Sequence, residues 1–414
     1  MFLTNNAEGS SASGHVVNPS NVTIENIVFE GSSASSGCPQ WAYGNAIWVE
    51  SNNIPGAASI ENVKVLRNVV ANFNGMNWLA VIAADDSPGV GQHSAIVIAG
   101  NTFEANSANP GSCVNNSANT HPIYQVLIAG ASYLPRGLVS NVMVDSNNFQ
   151  SQFVKGAVMV TSGTSRISIR YNRPIEGAGT GVIPLTGWST EQGRYAISIY
   201  NTAGDVGGQG LAPDTIWIIG NAIENPVSCG VYAAGGKNLI IEENSISGQR
   251  DAFDATEPKA AIALNHSATM PLHPILNNEL QGNRVGISVA GGDVSIGQNS
   301  ITVPANGYGV KLYADEKSAF NIQDLTLNTT ATNATSVIGG GSPAYPSSLS
   351  ITQNGWASCG GSNPALRWYR GVLGGDALTS YAALPNIDIG PVIANGLLQL
   401  AFWRPVCDYA PQKP

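Results

Sequence analysis

KNLIIEENSISG, residues 237–248, is the stretch whose reading decides the fold. Leu239 and Ile241 alternate with outward positions, Asn244 follows, and Ile246 stands two residues further on. The same figure returns as SAIVIAGNTF (94–103), SNVMVDSNNF (140–149), DTIWIIGNAI (214–223) and GDVSIGQNSI (292–301). A unit repeated at this frequency is an architecture in which each copy buries its apolar face against the next. A second, shorter alternating run accompanies it and opens near a glycine, as in GNAIWVE (44–50), GAVMVTSG (156–163), VGISVAGG (285–292) and GVKLYAD (309–315). Period-two alternation makes both runs β-strands with one buried face. No helical periodicity interrupts them.

The spacing sets the arrangement. Asn147 and Asn172 are 25 residues apart, and Asn221 and Asn244 are 23 apart. Coils of that length without helices predict strands stacked in parallel, each paired with its counterpart one repeat later at about 4.8 Å. About nine or ten coils are expected, a rod on the order of 45 Å long. The recurring asparagine has a structural role in that arrangement. It tolerates left-handed backbone at a sharp turn, and stacked copies hydrogen-bond along the coils. Asn101, Asn147, Asn172, Asn221, Asn244 and Asn299 are therefore expected to build the fold and not a binding site.

These residues resemble the repeats of the pectin-lyase-like superfamily, and NVTIENIVFEG (21–31) is similar to an early coil of those proteins. The resemblance covers about residues 21–330 and implies a right-handed, single-stranded parallel β-helix, an all-β fold. The superfamily holds lyases, hydrolases, epimerases and tailspikes, so it fixes no activity. Domain boundaries are expected as a tail over 1–20, the β-helix over 21–330, a Gly/Pro/Ser-rich linker over 331–348 and a capping or accessory segment over 349–414. No capping element is visible ahead of residue 21, so the natural start is expected upstream.

Composition narrows the function. Charged residues make up 11% of the 414 and hydrophobic residues 43%, with a net charge of −9. Asn, Ser, Thr and Gly fill the polar positions, which gives a hydrogen-bonding surface suited to sugars outside the cell. No basic run points to nucleic acid, and no apolar run of about 18 residues points to a membrane span. The N-terminal stretch lacks the pattern of a signal peptide. Of the five cysteines, Cys359 with Cys407 and Cys38 with Cys113 are the candidate bridges, five thiols the alternative. Cys229 is the fifth. No CxxC pair indicates a zinc site, and no metal ligands are assigned.

Enzymes of this resemblance work in a groove along the outside of one sheet. If Ile47 and Val49 point inward, Trp48 and Glu50 point outward. The same phase sends Ser198, Tyr200, Tyr232, Asn265, Lys311 and Tyr313 outward, and His266 follows at a strand end. Trp48, Tyr200, Tyr232, His266 and Lys311 are thus candidate sugar-binding residues. Glu50 ends one strand, and Asp85 and Asp86 end the equivalent strand one coil later. The strand spacing would place these carboxylates about 5–8 Å apart, a separation used in glycoside hydrolysis. His93 closes the same loop. Polygalacturonases carry an Asp-Asp pair, a Gly-His-Gly and an Arg-Ile-Lys; here Asp85-Asp86 is present, Gln92-His93-Ser94 follows in the same loop, and no Arg-Ile-Lys occurs.

A second candidate is basic. Arg136, Lys155, Arg166, Arg170, Arg173 and Arg194 fall close together, with Arg170 one coil from an outward Asp145. This cluster either pairs with its few acids or binds uronate carboxylates, where a base would support β-elimination. Pectate lyases perform that step beside calcium, but their Trp-Ile-Asp-His motif is absent here. The acidic loop over 248–259 is a further cation candidate, or a solvated edge. The leading expectation is an extracellular glycoside hydrolase, using Glu50, Asp85 and Asp86 on a polysaccharide with no cofactor or with calcium. A lyase acting on an acidic glycan and a non-catalytic glycan-binding rod are the alternatives, as monomer or homotrimer.

Overall fold

The structure, a computed structural model, describes residues 2–4, 20–30, 46–51, 60–71, 77–83, 92–104, 124–130, 138–150, 156–176, 195–201, 212–226, 229–248, 260–265, 273–304, 307–314, 318–323, 326–327, 335–341, 348–352, 366–370 and 387–388. Every element among them is a β-strand, and every ladder is parallel. The chain divides into two compact units, Met1–Val227 and Ser228–Pro414. Each is a stretch of parallel β-helix.

In the first unit a coil visits three sheets in turn. The first sheet takes Phe2–Thr4, Ile47–Ser51, Asn77–Ala83, Tyr124–Ala129, Gly156–Val160 and Tyr195–Tyr200. The second takes Thr23–Glu25, Ile60–Leu66, Gln92–Ala99, Leu138–Asp145, Thr164–Arg170 and Asp214–Ile219. The third takes strands of only two or three residues, such as Val69–Ala71, Thr102–Phe103 and Asn148–Phe149. The sequence reading has two strands per coil. The third escapes it because a strand this short carries one inward residue and shows no alternation.

Inward residues stack coil upon coil in register. Ile47, Leu79, Val126, Val158 and Ile197 form one column of the first sheet, and Val63, Ile96, Val142, Ile167 and Ile216 one column of the second. All ten are almost completely buried. From the third sheet, Phe103 and Phe149 stack with centroids 4.8 Å apart and rings 10° from parallel, and Trp78 packs 6.4 Å from Phe103. Packing aromatic rings coil on coil adds a geometric preference to the burial of their area.

The asparagines form a ladder at the corner between the second and third sheets. Asn68, Asn101, Asn147, Asn172 and Asn221 are buried there. The side-chain oxygen of Asn147 accepts from the backbone N–H and the side-chain amide of Asn101, both at 2.9 Å. Asn147 donates the same two groups to Asn172, at 2.9 and 3.0 Å. Its side-chain amide also donates to the Ile98 carbonyl at 2.9 Å. Each rung thus satisfies backbone groups that the corner would otherwise bury unpaired. The left-handed backbone falls on the residue before each asparagine, at Arg67, Gly100, Ser146, Tyr171 and Gly220. The asparagine is needed for its amide, and the tight turn belongs to its neighbour. Asn68 is a rung that the sequence reading does not include.

The second unit repeats this arrangement. Its first sheet runs Cys229–Ala234, Ala260–Asn265, Val285–Ala290 and Tyr308–Ala314, and its ladder joins Asn244, Asn278 and Asn299. Strand pairing continues beyond residue 330. Thr335–Gly341 pairs with Tyr308–Ala314 in the stretch expected as a linker, and Ser348–Thr352 and Leu366–Arg370 pair onward. A parallel ladder is made by backbone groups, so a Gly/Ser-rich segment joins it without the apolar alternation that marks the earlier coils. At the other end, Phe2–Thr4 in the expected tail pairs with residues 48–50.

Candidate functional site

The first sheet alternates as the sequence predicts. Ile47 and Val49 are fully buried, and Trp48 between them is half-buried and faces out. Its register neighbour one coil on is Ala80, which is fully buried. Further outward positions follow the same phase: Leu127 and Met159 by register, then Ser198, with Tyr200 two residues beyond. Tyr200 is half-buried. In the second unit, Asn265 is exposed, and Lys311 and Tyr313 are half-buried with the Lys311 ammonium 5.0 Å from the Tyr313 ring centre.

This outward row is less open than the sequence reading supposes. Ser198 is fully buried, and Tyr232 is only 9% exposed. Strands Gly156–Val160, Ala260–Asn265 and Val285–Ala290 are buried along nearly their whole length. Alternation identifies which side of a strand a residue takes, and burial of that side depends on contacts that no local pattern encodes. Tyr232 thus leaves the set of accessible sugar-stacking residues.

His93 is also reassigned. It begins a buried row of the second sheet, between Ile60 and Val139 in register, and it is 0% exposed. Its Nε2 lies 2.9 Å from the Ile82 carbonyl, so Nε2 carries the proton and donates. Burial lowers its pKa to about 4, against the milder opposite pull of that hydrogen bond. It is a core histidine, neutral at pH 7, with no route to a substrate on the first sheet. His273 has the same place in the second unit: fully buried, with Nδ1 accepting from the Leu239 N–H at 3.0 Å and a pKa lowered to about 4 by burial.

Of the three candidate catalytic carboxylates, Glu50 is placed by its backbone, opposite Ile82 in the next coil. Asp85 and Asp86 lie outside the described residues, as do His266, the 249–259 stretch and four of the five cysteines. Cys229 is buried at the start of its strand. Among the described residues, no three His, Cys, Asp or Glu side chains gather as a metal site.

Of the basic candidates, Arg166 and Arg170 fall on the second sheet, and Arg136, Lys155 and Arg194 lie outside the described residues. Arg170 stands on the outer face of the second sheet, where its Nε and Nη2 both lie 3.1 Å from Asp145 Oδ2. Arg170 Nη2 is also 2.9 Å from the Met143 sulfur. The other Asp145 oxygen accepts from the Ser146 hydroxyl at 2.8 Å. Arg166 donates to the Asn141 side-chain oxygen at 2.8 Å. Arg170 is therefore not part of a first-sheet groove, and the expected pairing with Asp145 is formed.

No protein-family model matches the chain, and no curated protein matches it. A solved structure with which it is similar is the crystal structure of PfbA, a surface adhesin of Streptococcus pneumoniae. The identity is 13%, with 80% of this chain and 84% of that chain covered and a TM-score of 0.33. A likeness of that degree carries no argument. The class of protein that fold and site define is thus a parallel β-helix with an aromatic and amide-bearing outer face. Among the described residues no helix is long and apolar enough to cross a membrane.

Proposed function

We propose that this chain is an extracellular carbohydrate-binding β-helix of the pectin-lyase-like kind, holding a polysaccharide along the first sheet of its first unit without cleaving it. The observation that carries the reading is that Trp48 and Tyr200, on the outward side of that sheet, both reach solvent. Aromatic faces take up the C–H face of a sugar ring, and amide and ammonium groups satisfy its hydroxyls. The low charge content of the chain agrees with a ligand held by neutral hydrogen bonds. Trp48→Ala and Tyr200→Ala, run by affinity electrophoresis through gels containing neutral polysaccharides, should each lose about tenfold in apparent affinity, the equivalent of one stacking contact of about 1.4 kcal/mol. Equal retardation of both variants and the parent would sink the first-sheet reading.

Hydrolysis is the second reading, favoured by one register. Glu50 stands opposite Ile82, and Asp85 and Asp86 come three and four residues after Ile82 in the sequence. Two carboxyl groups on neighbouring strand ends would suit an acid and its partner. Glu50→Gln would then abolish any release of reducing ends while leaving retention in the gel unchanged.

A further inference from the structure

We infer that the outer face of the second sheet in the first unit is a separate binding site for an acidic glycan, centred on Tyr171, Trp217 and the Arg170–Asp145 pair. Two outward rows cross this face in register. One runs Lys64, Val97, Met143, Ser168, Trp217, and the other Leu66, Ala99, Asp145, Arg170, Ile219. Apart from the exposed Lys64, every one of these positions is half-buried, so the face reaches solvent along its length.

Tyr171 is 46% exposed, one of three large hydrophobic side chains so classed among the described residues. It sits in left-handed backbone at the corner, with its ring against Gly220 of the next coil. A side chain at 220 would place its Cβ 2.6 Å from two atoms of that ring, and Gly220 itself has a φ of 64°. Glycine at 220 thus serves both the turn and the seat of the tyrosine. The ring is supported by backbone from beneath and open above, the arrangement a stacking platform requires. Trp217 lies three residues before Gly220, about 10 Å away along the strand, so two aromatic platforms follow one another.

Polar groups between them are already fixed. Arg170 is held by Asp145 and the Met143 sulfur, Asp145 is held in turn by Ser146, and the arginine side chain remains 39% exposed. A guanidinium immobilised in this way presents its remaining N–H edge to a ligand with little ordering left to do. The charge selects the ligand class. Arg166 and Arg173 are both exposed and flank Tyr171 in sequence, and the polar side chain that Arg166 bonds is the neutral Asn141. In a chain of net charge −9, this cationic flank complements carboxylate or sulfate groups on a sugar chain.

The test uses the intact chain and polygalacturonate as the probe, with dextran as its neutral counterpart. Affinity electrophoresis should show retardation by polygalacturonate that weakens steeply with salt. Tyr171→Ala and Trp217→Ala should each weaken it about tenfold. Arg166→Ala with Arg173→Ala should remove the salt dependence while the fold, followed by circular dichroism, is unchanged. Tyr171→Ala should leave retardation by dextran unchanged, which keeps the site distinct from the first-sheet reading. Retardation lost in Trp48→Ala but kept in Tyr171→Ala would overturn the proposal. So would a monomer–dimer equilibrium abolished by Trp217→Ala without any effect of polygalacturonate, which would make this face a contact between copies of the chain.

Discussion

The Asn147 side chain makes four hydrogen bonds at one corner, and its loss has a calculable consequence. In Asn147→Ala, the backbone N–H of Asn101 and the Ile98 carbonyl each lose a partner in a buried setting, while the side-chain oxygen of Asn172 keeps the backbone N–H of residue 147. Each unpaired group costs about 1–3 kcal/mol, so destabilisation of about 2 kcal/mol or more is expected. Urea unfolding followed by far-ultraviolet circular dichroism measures it, and a loss under about 1 kcal/mol would mean that the rung is dispensable. The two buried histidines make a second prediction at this scale. Their folded pKa is near 4, below the unfolded value of 6.5. Protonation therefore favours the unfolded chain, so the stability they contribute is present above pH 6.5 and is lost as pH falls from there toward 4. The imidazole resonances of His93 and His273 should titrate near pH 4, and titration of these two at 6.5 would contradict their burial.

Elements explain what was legible in the sequence and what was not. The long strands declare themselves through alternation, as in Val142 and Val144 or Leu239 and Ile241, and six of the ladder asparagines stand out by position. Asn68 and Asn278 occupy equivalent rungs but escape the sequence reading: in RNVVA three consecutive apolar residues, Val69, Val70 and Ala71, hide the alternation, and in NNELQG the rung asparagine follows another asparagine. The third sheet is hidden because its strands are too short to show alternation. Its strands nonetheless supply large core residues. Phe149→Ala should cost about 3–5 kcal/mol by removing the Phe103 stack and leaving a cavity. Denaturation with the midpoint unchanged would show that neighbouring coils close over the gap. Close approach between backbones is also invisible in composition. A Cβ at Gly130 would lie 2.4 Å from the backbone of Gly163, so Gly130→Ala should destabilise by about 1–3 kcal/mol or prevent folding.

At the scale of the whole molecule, composition and repetition identify the fold, while the site depends on contacts between coils. The outward positions of Trp48 and Tyr200 in the first unit, and of Lys311 and Tyr313 in the second, were legible because each follows from strand phase. The burial of Ser198, Tyr232 and His93 was not, since it is set by what packs across the strand and not by the residue's own neighbours. The pairing of Arg170 with Asp145 was legible from their spacing, but the seat of Tyr171 on Gly220 needed the geometry of two adjacent coils. The most direct measurement incubates the intact protein with neutral and acidic polysaccharides and follows retention, reducing ends and the absorbance of unsaturated uronates together. Retention without new reducing ends or absorbance is the predicted result. Steady release of reducing ends that disappears in Glu50→Gln would contradict it and establish hydrolysis in its place.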